Sequence, residues 1–112
     1  MNRLFVALKS EAFEWFKSGK KKWELRGINN NFNTKTAIVG RKVEISKGYS
    51  GKRMQGRITA RHIFDNMEDI SRRINFQDII PVANDESEFR KICKSYLSKY
   101  ERFIAFKIER NK

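Results

Sequence analysis

The chain has 112 residues, a length that fits one domain, and its apolar fraction of 39% is enough for a packed core. It carries 25 Lys and Arg against 13 Asp and Glu, a formal net charge of +12 that favours polyanionic partners, nucleic acid first among them. One cysteine and one histidine exclude an intramolecular disulfide and a four-ligand zinc site. We therefore expect no metal and no other cofactor, and the cysteine content suits the cytoplasm.

The first predicted elements are a strand and a short helix. Residues 4–8 form an apolar run that is typical of a buried strand and too short for a signal sequence or a membrane span. Ser10 is the predicted N-cap of the helix, and Gly19 is its predicted C-terminal stop. Alternation over residues 22–26 predicts the second strand.

The later elements complete an α+β pattern. Alternation predicts a third strand over residues 42–46 and a long fourth strand over 54–64. A short helix or turn follows at 68–74. Apolar side chains at helical spacing then predict a long helix that ends near Tyr100, before a last strand over 103–108. Strands interrupted by two main helices indicate an α+β fold with a small curled sheet.

The densest charged feature is the segment of residues 19–26, at the turn from the first helix into the second strand. Glu24 and Arg26 are two apart on a strand and therefore share a face, over which the flexible ammonium group of Lys21 can swing. A carboxylate among cations should stay ionised and can accept a proton or a hydrogen bond. An ordinary solvated strand with surface ion pairs is the alternative interpretation.

This segment resembles a known signature, the G-x-K-x-x-E-x-R motif of the ASCH domains, at all four fixed positions: Gly19, Lys21, Glu24 and Arg26. ASCH domains belong to the PUA-like β-barrel superfamily, and the order of elements extends the resemblance over residues 3–109. The resemblance implies a small PUA-like β-barrel with two main flanking helices. It also implies a cleft lined by the Lys, Glu and Arg of the motif.

The same resemblance implies a function in binding RNA or modified nucleotides. Apart from the resemblance, we expect a monomer with no membrane partner. Some small bacterial relatives are amidohydrolases that remove acetyl from N4-acetylcytidine, and others are ribonucleases. In those amidohydrolases a Lys at the position of Lys21 acts with a Thr at the position of Glu24, so the Glu here favours binding over that chemistry. If the chain is an enzyme, Lys21 and Glu24 are the expected pair, and the candidates for a further carboxylate are Asp78, Asp85 and Glu86. A protein-interaction module with a basic face is the remaining alternative.

Three arginines of the fourth strand form a further candidate site. Arg53, Arg57 and Arg61 share one face of a regular strand, and residues four apart are about 13 Å apart along it. That spacing suits alternate phosphates of an extended single strand, although a solvated strand face gives the same pattern. Arg41, at the start of the third strand, is a separate candidate for a phosphate contact.

Aromatic side chains near the basic segment are candidates for stacking on a base. Phe32 and Tyr49 lie in predicted loops and are the better candidates, because strand parity places Trp23 opposite Glu24, towards the core. The predicted nucleic-acid contacts are Lys20, Lys21, Lys22, Glu24, Arg26, Phe32, Arg41, Tyr49, Arg57 and Arg61.

Overall fold

The fold is built on one mixed sheet, seen in a computed structural model that describes residues 2–111. Its strands are β1 (Leu4–Leu8), β2 (Trp23–Gly27), β3 (Lys42–Lys47), β4 (Arg53–Phe64) and β5 (Phe103–Arg110). They lie in the order β1-β3-β4-β5-β2, with β1 parallel to β3 and the other neighbours antiparallel. The sheet curls into a half-barrel whose two edge strands are β1 and β2.

Three helices accompany the sheet: α1 (Ser10–Lys17), α2 (Ile70–Arg73) and α3 (Glu86–Leu97), with single 3-10 turns at Met67–Asp69 and Phe76–Asp78. The two main helices that the sequence predicts are α1 and α3. Lys9 is the N-cap of α1 and no side chain caps that end, so the predicted cap at Ser10 is wrong by one residue. Within residues 2–111, no helix has the length and apolarity that crossing a membrane requires.

Apolar side chains pack on both faces of the sheet. On the inner face, Val6, Ile45 and Phe106 pack with Phe13 and Phe16 of α1. On the outer face, Trp23 and Leu25 of β2 pack with Phe89, Cys93 and Leu97 of α3. Large apolar side chains stabilise a fold by about 1.5–3 kcal/mol each when fully buried. Both long helices are therefore held by their apolar faces.

A β-bulge in β4 changes which face its side chains reach. The register against β5 shifts between Ile58 and Ala60. Before the shift Ile58 lies opposite Ile108, and after it Arg61 lies opposite Phe106. Ile108 and Phe106 both point to the inner face of the sheet, so the inward-facing positions of β4 change from even-numbered to odd-numbered residues. One extra residue in a strand reverses the alternation of the side chains beyond it.

The bulge overturns the predicted row of three arginines. Arg53 and Arg57 precede the bulge and lie on the outer face, opposite in parity to the buried Ile58. Arg61 follows the bulge and lies on the inner face. The three guanidinium groups therefore do not follow one strand face, and the spacing argument for alternate phosphates is wrong. Regular alternation along the strand hides such a bulge from the sequence.

Candidate functional site

The signature segment begins where α1 ends. Gly19 has φ of +83°, in the left-handed region that glycine adopts without strain. The Lys20 N–H donates to the Trp15 carbonyl at 2.9 Å and the Gly19 N–H donates to the Phe16 carbonyl at 3.2 Å, which is the Schellman arrangement. The Lys21 N–H also donates to Trp15, at 3.0 Å. The glycine thus turns the chain sharply towards β2 and fixes the backbone of Lys21.

Lys21, Glu24 and Arg26 form one connected cluster, which we call the triad. The Lys21 Nζ lies 3.3 Å from Glu24 Oε1, and the Arg26 Nε lies 2.5 Å from Glu24 Oε2. The Lys21 ammonium also donates to the Ile79 carbonyl at 2.6 Å. Glu24 and Arg26 share a face, as strand parity predicts, and one carboxylate is divided between two cations.

The triad is largely buried. The exposed fraction is 4% for Lys21 and 6% for Glu24, and the Arg26 side chain is 26% exposed. The Lys21 ammonium lies 5.5 Å from the centre of the Phe16 ring. The prediction of a mobile Lys21 that swings over the strand is therefore wrong. An ammonium in the interior is tolerated only where acceptors surround it, and Glu24 and Ile79 hold this one in place.

Phe32 covers the triad from the loop between β2 and β3. Its ring centre lies 4.5 Å from the Arg26 guanidinium and 6.0 Å from the Phe106 ring, and the residue is buried. Asn29 shapes this turn, because its Oδ1 accepts hydrogen bonds at 2.8 Å from the Asn31 and Phe32 N–H groups. Phe32 is therefore a core residue, and its prediction as an exposed stacking platform is wrong.

The surroundings set the charge states of the triad. Burial alone would raise the pKa of the Glu24 carboxyl, but the charges of Arg26 and Lys21 outweigh burial and hold that pKa below its ordinary value. Burial lowers the pKa of the Lys21 ammonium, and the Glu24 carboxylate opposes that change. Glu24 is accordingly ionised at neutral pH, in agreement with the expectation for a carboxylate among cations.

The triad also bridges the open side of the sheet. Arg26 belongs to the edge strand β2, and its Nη2 donates at 2.9 Å to the Ala7 carbonyl of the other edge strand, β1. This bond joins the two edge strands of the sheet, which are not neighbours in its strand order. The guanidinium therefore links β1 to the Glu24 carboxylate, and through it to Lys21, along the seam of the half-barrel.

Two of the groups that hold the triad were missed by sequence reasoning. They are the main-chain carbonyls of Ala7 and Ile79, which lie 19 and 58 positions from the side chains that they bind. A backbone acceptor is independent of residue type, so no sequence signal marks it. The feature that could have been read is the charge balance of the triad: one carboxylate cannot satisfy all the N–H donors of two largely buried cations, which therefore need further acceptors.

The acidic residues that the sequence offers for a further catalytic carboxylate have other contacts. Asp85 caps α3 by accepting the Glu88 N–H at 2.8 Å. The Glu86 carboxylate binds Ser71 at 2.8 Å and Arg90 at 3.1 Å. Asp78 contributes its main-chain carbonyl, which accepts the Lys22 N–H at 2.7 Å. Across residues 2–111, Glu24 is the one carboxylate that forms an ion pair with Lys21.

Solved structures share this architecture. Hypothetical protein PH0355 aligns with a TM-score of 0.80 and 18% identity over 98% of this chain and 100% of its own. Protein PF0455 from Pyrococcus furiosus aligns with a TM-score of 0.70 and 19% identity over 99% of both chains. The ASCH protein from Zymomonas mobilis aligns with a TM-score of 0.66 and 17% identity over 94% of this chain and 65% of its own. This chain has the ASCH fold.

The likeness confirms the predicted α+β architecture of the ASCH type. No protein-family model and no curated protein matches the sequence. The structural alignments establish the fold of the chain. Because the identities are only 17–19%, its function has to be argued from its own residues. Within the ASCH fold, the signature residues of this chain occupy the seam between β1 and β2.

The rim of the triad is basic and exposed. Lys20 and Lys22 flank the buried Lys21 and both are exposed to solvent. Arg26, whose side chain is 26% exposed, completes this set, which we call the rim: Lys20, Lys22 and Arg26. Of the predicted contacts in the signature segment, these three offer cationic surface to a ligand.

The remaining predicted contacts are four residues outside the signature segment: Arg41, Tyr49, Arg57 and Arg61. The Arg61 Nη1 donates to the Thr34 and Ala37 carbonyls at 2.9 and 3.2 Å, so this residue braces the loop before β3. Tyr49 lies in the turn after β3, is 83% exposed and stacks on Phe5 with ring centres 6.3 Å apart. Its predicted place in a turn is confirmed, and its role in stacking on a base stays a prediction. Arg41 and Arg57 line a surface pocket at the start of β3.

Proposed function

We propose that this ASCH-fold domain binds RNA or another single-stranded nucleic acid through exposed cations that surround a buried, internally paired triad. The observation that carries the proposal is the division of the signature into two parts. Lys21 and Glu24 satisfy each other in the interior, whereas Lys20, Lys22 and part of Arg26 stay at the surface. In this proposal the triad sets the position of the rim, and the rim contacts phosphates.

The balance of ion pairs supports a polyanionic ligand. Across residues 2–111, seven Lys or Arg side chains form ion pairs: Lys21, Arg26, Lys47, Arg53, Arg72, Arg90 and Arg102. Most of the Lys and Arg side chains of residues 2–111 therefore have no carboxylate partner within that range. Such cations bind phosphates and release the counterions condensed on the nucleic acid, which makes the affinity depend steeply on salt.

Removal of the two rim lysines tests the proposal. The double variant K20A/K22A should bind a single-stranded RNA more weakly than wild type. The salt slope, which is the steepness with which the logarithm of the binding constant falls with the logarithm of the salt concentration, should decrease by about 1.4, since each single-strand phosphate contact contributes about 0.7. The matched control is K91A/K94A, which removes two exposed lysines from α3. Affinities measured from 50 to 300 mM salt by fluorescence anisotropy provide the comparison.

Two outcomes would contradict the proposal. Wild-type protein that does not bind RNA at low salt would refute the function, and equal salt slopes for K20A/K22A and K91A/K94A would refute the rim as its site. Incubation of wild type with N4-acetylcytidine separates binding from the amidohydrolase alternative. In the binding proposal the nucleoside stays intact, and its hydrolysis by water to cytidine and acetate would favour the enzyme.

A further inference from the structure

A pocket of about 410 Å³ lies at the start of β3. The sheet order places β4 and β5 between this strand and β2, which carries Glu24 and Arg26 of the triad. The pocket is lined by Ile38, Val39, Gly40, Arg41, Lys42 and Arg57. Three of these six residues are cationic and none is acidic. The composition favours an anion as the ligand of the pocket.

Two of the cations are cross-strand neighbours on adjacent strands of the sheet. Lys42 on β3 lies directly opposite Arg57 on β4, and both are exposed. Like charges directly opposite one another destabilise an antiparallel pair. Neither side chain forms an ion pair within residues 2–111, although Glu109 on β5 lies opposite Arg57 on its other side. An anion bound between Lys42 and Arg57 would relieve the repulsion.

Main-chain carbonyls hold the two arginines of the pocket in place. The Arg57 Nη1 donates to the Gly40 carbonyl at 2.8 Å. Arg41 donates to the Thr36 carbonyl at 2.7 Å and to the Asn2 carbonyl at 3.0 Å. Both guanidinium groups keep further N–H donors, because each carries five. A pre-positioned guanidinium loses less conformational freedom when it binds, and its planar fork matches two oxygens of a phosphate.

We propose that this pocket binds a phosphate group, supplied by the backbone of the nucleic-acid strand that also contacts the rim. The proposal rests on the proposed function, because that function supplies the phosphodiester. Free phosphate offers the same chemistry from another source. The pocket is therefore a second anchoring point, across the sheet from the strand that carries Glu24 and Arg26.

The variant Arg57→Gln tests the pocket. It relieves the repulsion on Lys42 but also loses the exposed hydrogen bond to the Gly40 carbonyl, so the two changes offset and we expect thermal unfolding near the wild-type temperature. We also expect RNA affinity to fall at least threefold at 50 mM salt and the salt slope to fall by about 0.7 to 1, the amount of one phosphate contact. The matched control is Arg73→Gln, which removes an exposed arginine at the end of α2. Lys42→Gln should reproduce the effect if Arg57→Gln is poorly folded.

The outcomes separate this inference from the function on which it rests. If wild type binds RNA and both pocket variants bind as tightly as Arg73→Gln, the pocket is refuted and the proposed function stands. If wild type does not bind RNA, the function is refuted, and the pocket is judged by titrating inorganic phosphate into ¹⁵N-labelled protein. Saturable shifts of the amides of residues 38–42 by phosphate then assign the pocket to free phosphate, and their absence refutes it. Where wild type does bind RNA, shifts of the same amides caused by RNA at concentrations where phosphate causes none assign the pocket to the nucleic-acid backbone.

Discussion

Glu24→Gln should destabilise the protein by about 3–5 kcal/mol, because it leaves the Lys21 ammonium buried without its carboxylate. The side chains of Lys21 and Glu24 are 3% and 8% exposed, so solvent screens the lost interaction weakly. Urea unfolding at pH 7, followed by circular dichroism, measures the change. The control is the double variant K21M/E24Q, which removes the buried ammonium together with the carboxylate. It should be more stable than Glu24→Gln alone, since Met fills similar space without a charge.

The effect of Glu24→Gln should depend on pH in one direction. The pKa of Glu24 lies below its ordinary value of about 4.3 in the folded protein, so the unfolded chain binds more protons in the acid range. The stability that the ionised carboxylate contributes is present above that pH and is lost as the pH falls through the native pKa. The difference in the free energy of unfolding between wild type and Glu24→Gln should therefore be largest at pH 7 and should shrink below about pH 4. A difference in the free energy of unfolding that stays constant from pH 7 to pH 3 would contradict the ionised state of Glu24.

Arg26→Ala should open the seam of the half-barrel. This variant loses the bond to Glu24 at 2.5 Å and the bond to the Ala7 carbonyl at 2.9 Å, and hydrogen bonds to charged groups contribute about 1.5–3 kcal/mol each. We expect a loss of about 2–4 kcal/mol and faster amide exchange along the edge strands β1 and β2. The control is Arg102→Ala, whose ion pair with Asp65 at 2.8 Å is exposed and should contribute less than about 1 kcal/mol. Equal losses for the two variants would refute the seam.

The order and type of the elements could be predicted from the sequence because local patterns determine them. The apolar face of α3 and the left-handed Gly19 at the end of α1 both fall where periodicity and turn chemistry place them. The cap of α1 could not be placed, because Ser10 is a good N-cap type and yet begins the helix without a capping bond. The bulge after Ile58 could not be placed either, since it depends on the register with β5.

The candidate site could be predicted as a set of residues but not as an open cleft. Strand parity places Glu24 and Arg26 on one face and Trp23 on the other, and the structure agrees. Parity does not reveal that the face carrying Glu24 is also covered. That depends on Phe32, which reaches Arg26 from a loop, and on the Ile79 carbonyl that holds Lys21. A sequence motif identifies which residues meet, whereas their burial depends on segments far away along the chain.

In the proposed function, Lys21 and Glu24 organise the site from within while the exposed cations bind the nucleic acid. A crystal structure of the protein with a short single-stranded RNA would show both roles. We expect phosphates beside Lys20 and Lys22, with the Lys21–Glu24 pair still buried at about its present separation of 3.3 Å. A base or a phosphate bonded to the Lys21 ammonium or to the Glu24 carboxylate would contradict these roles.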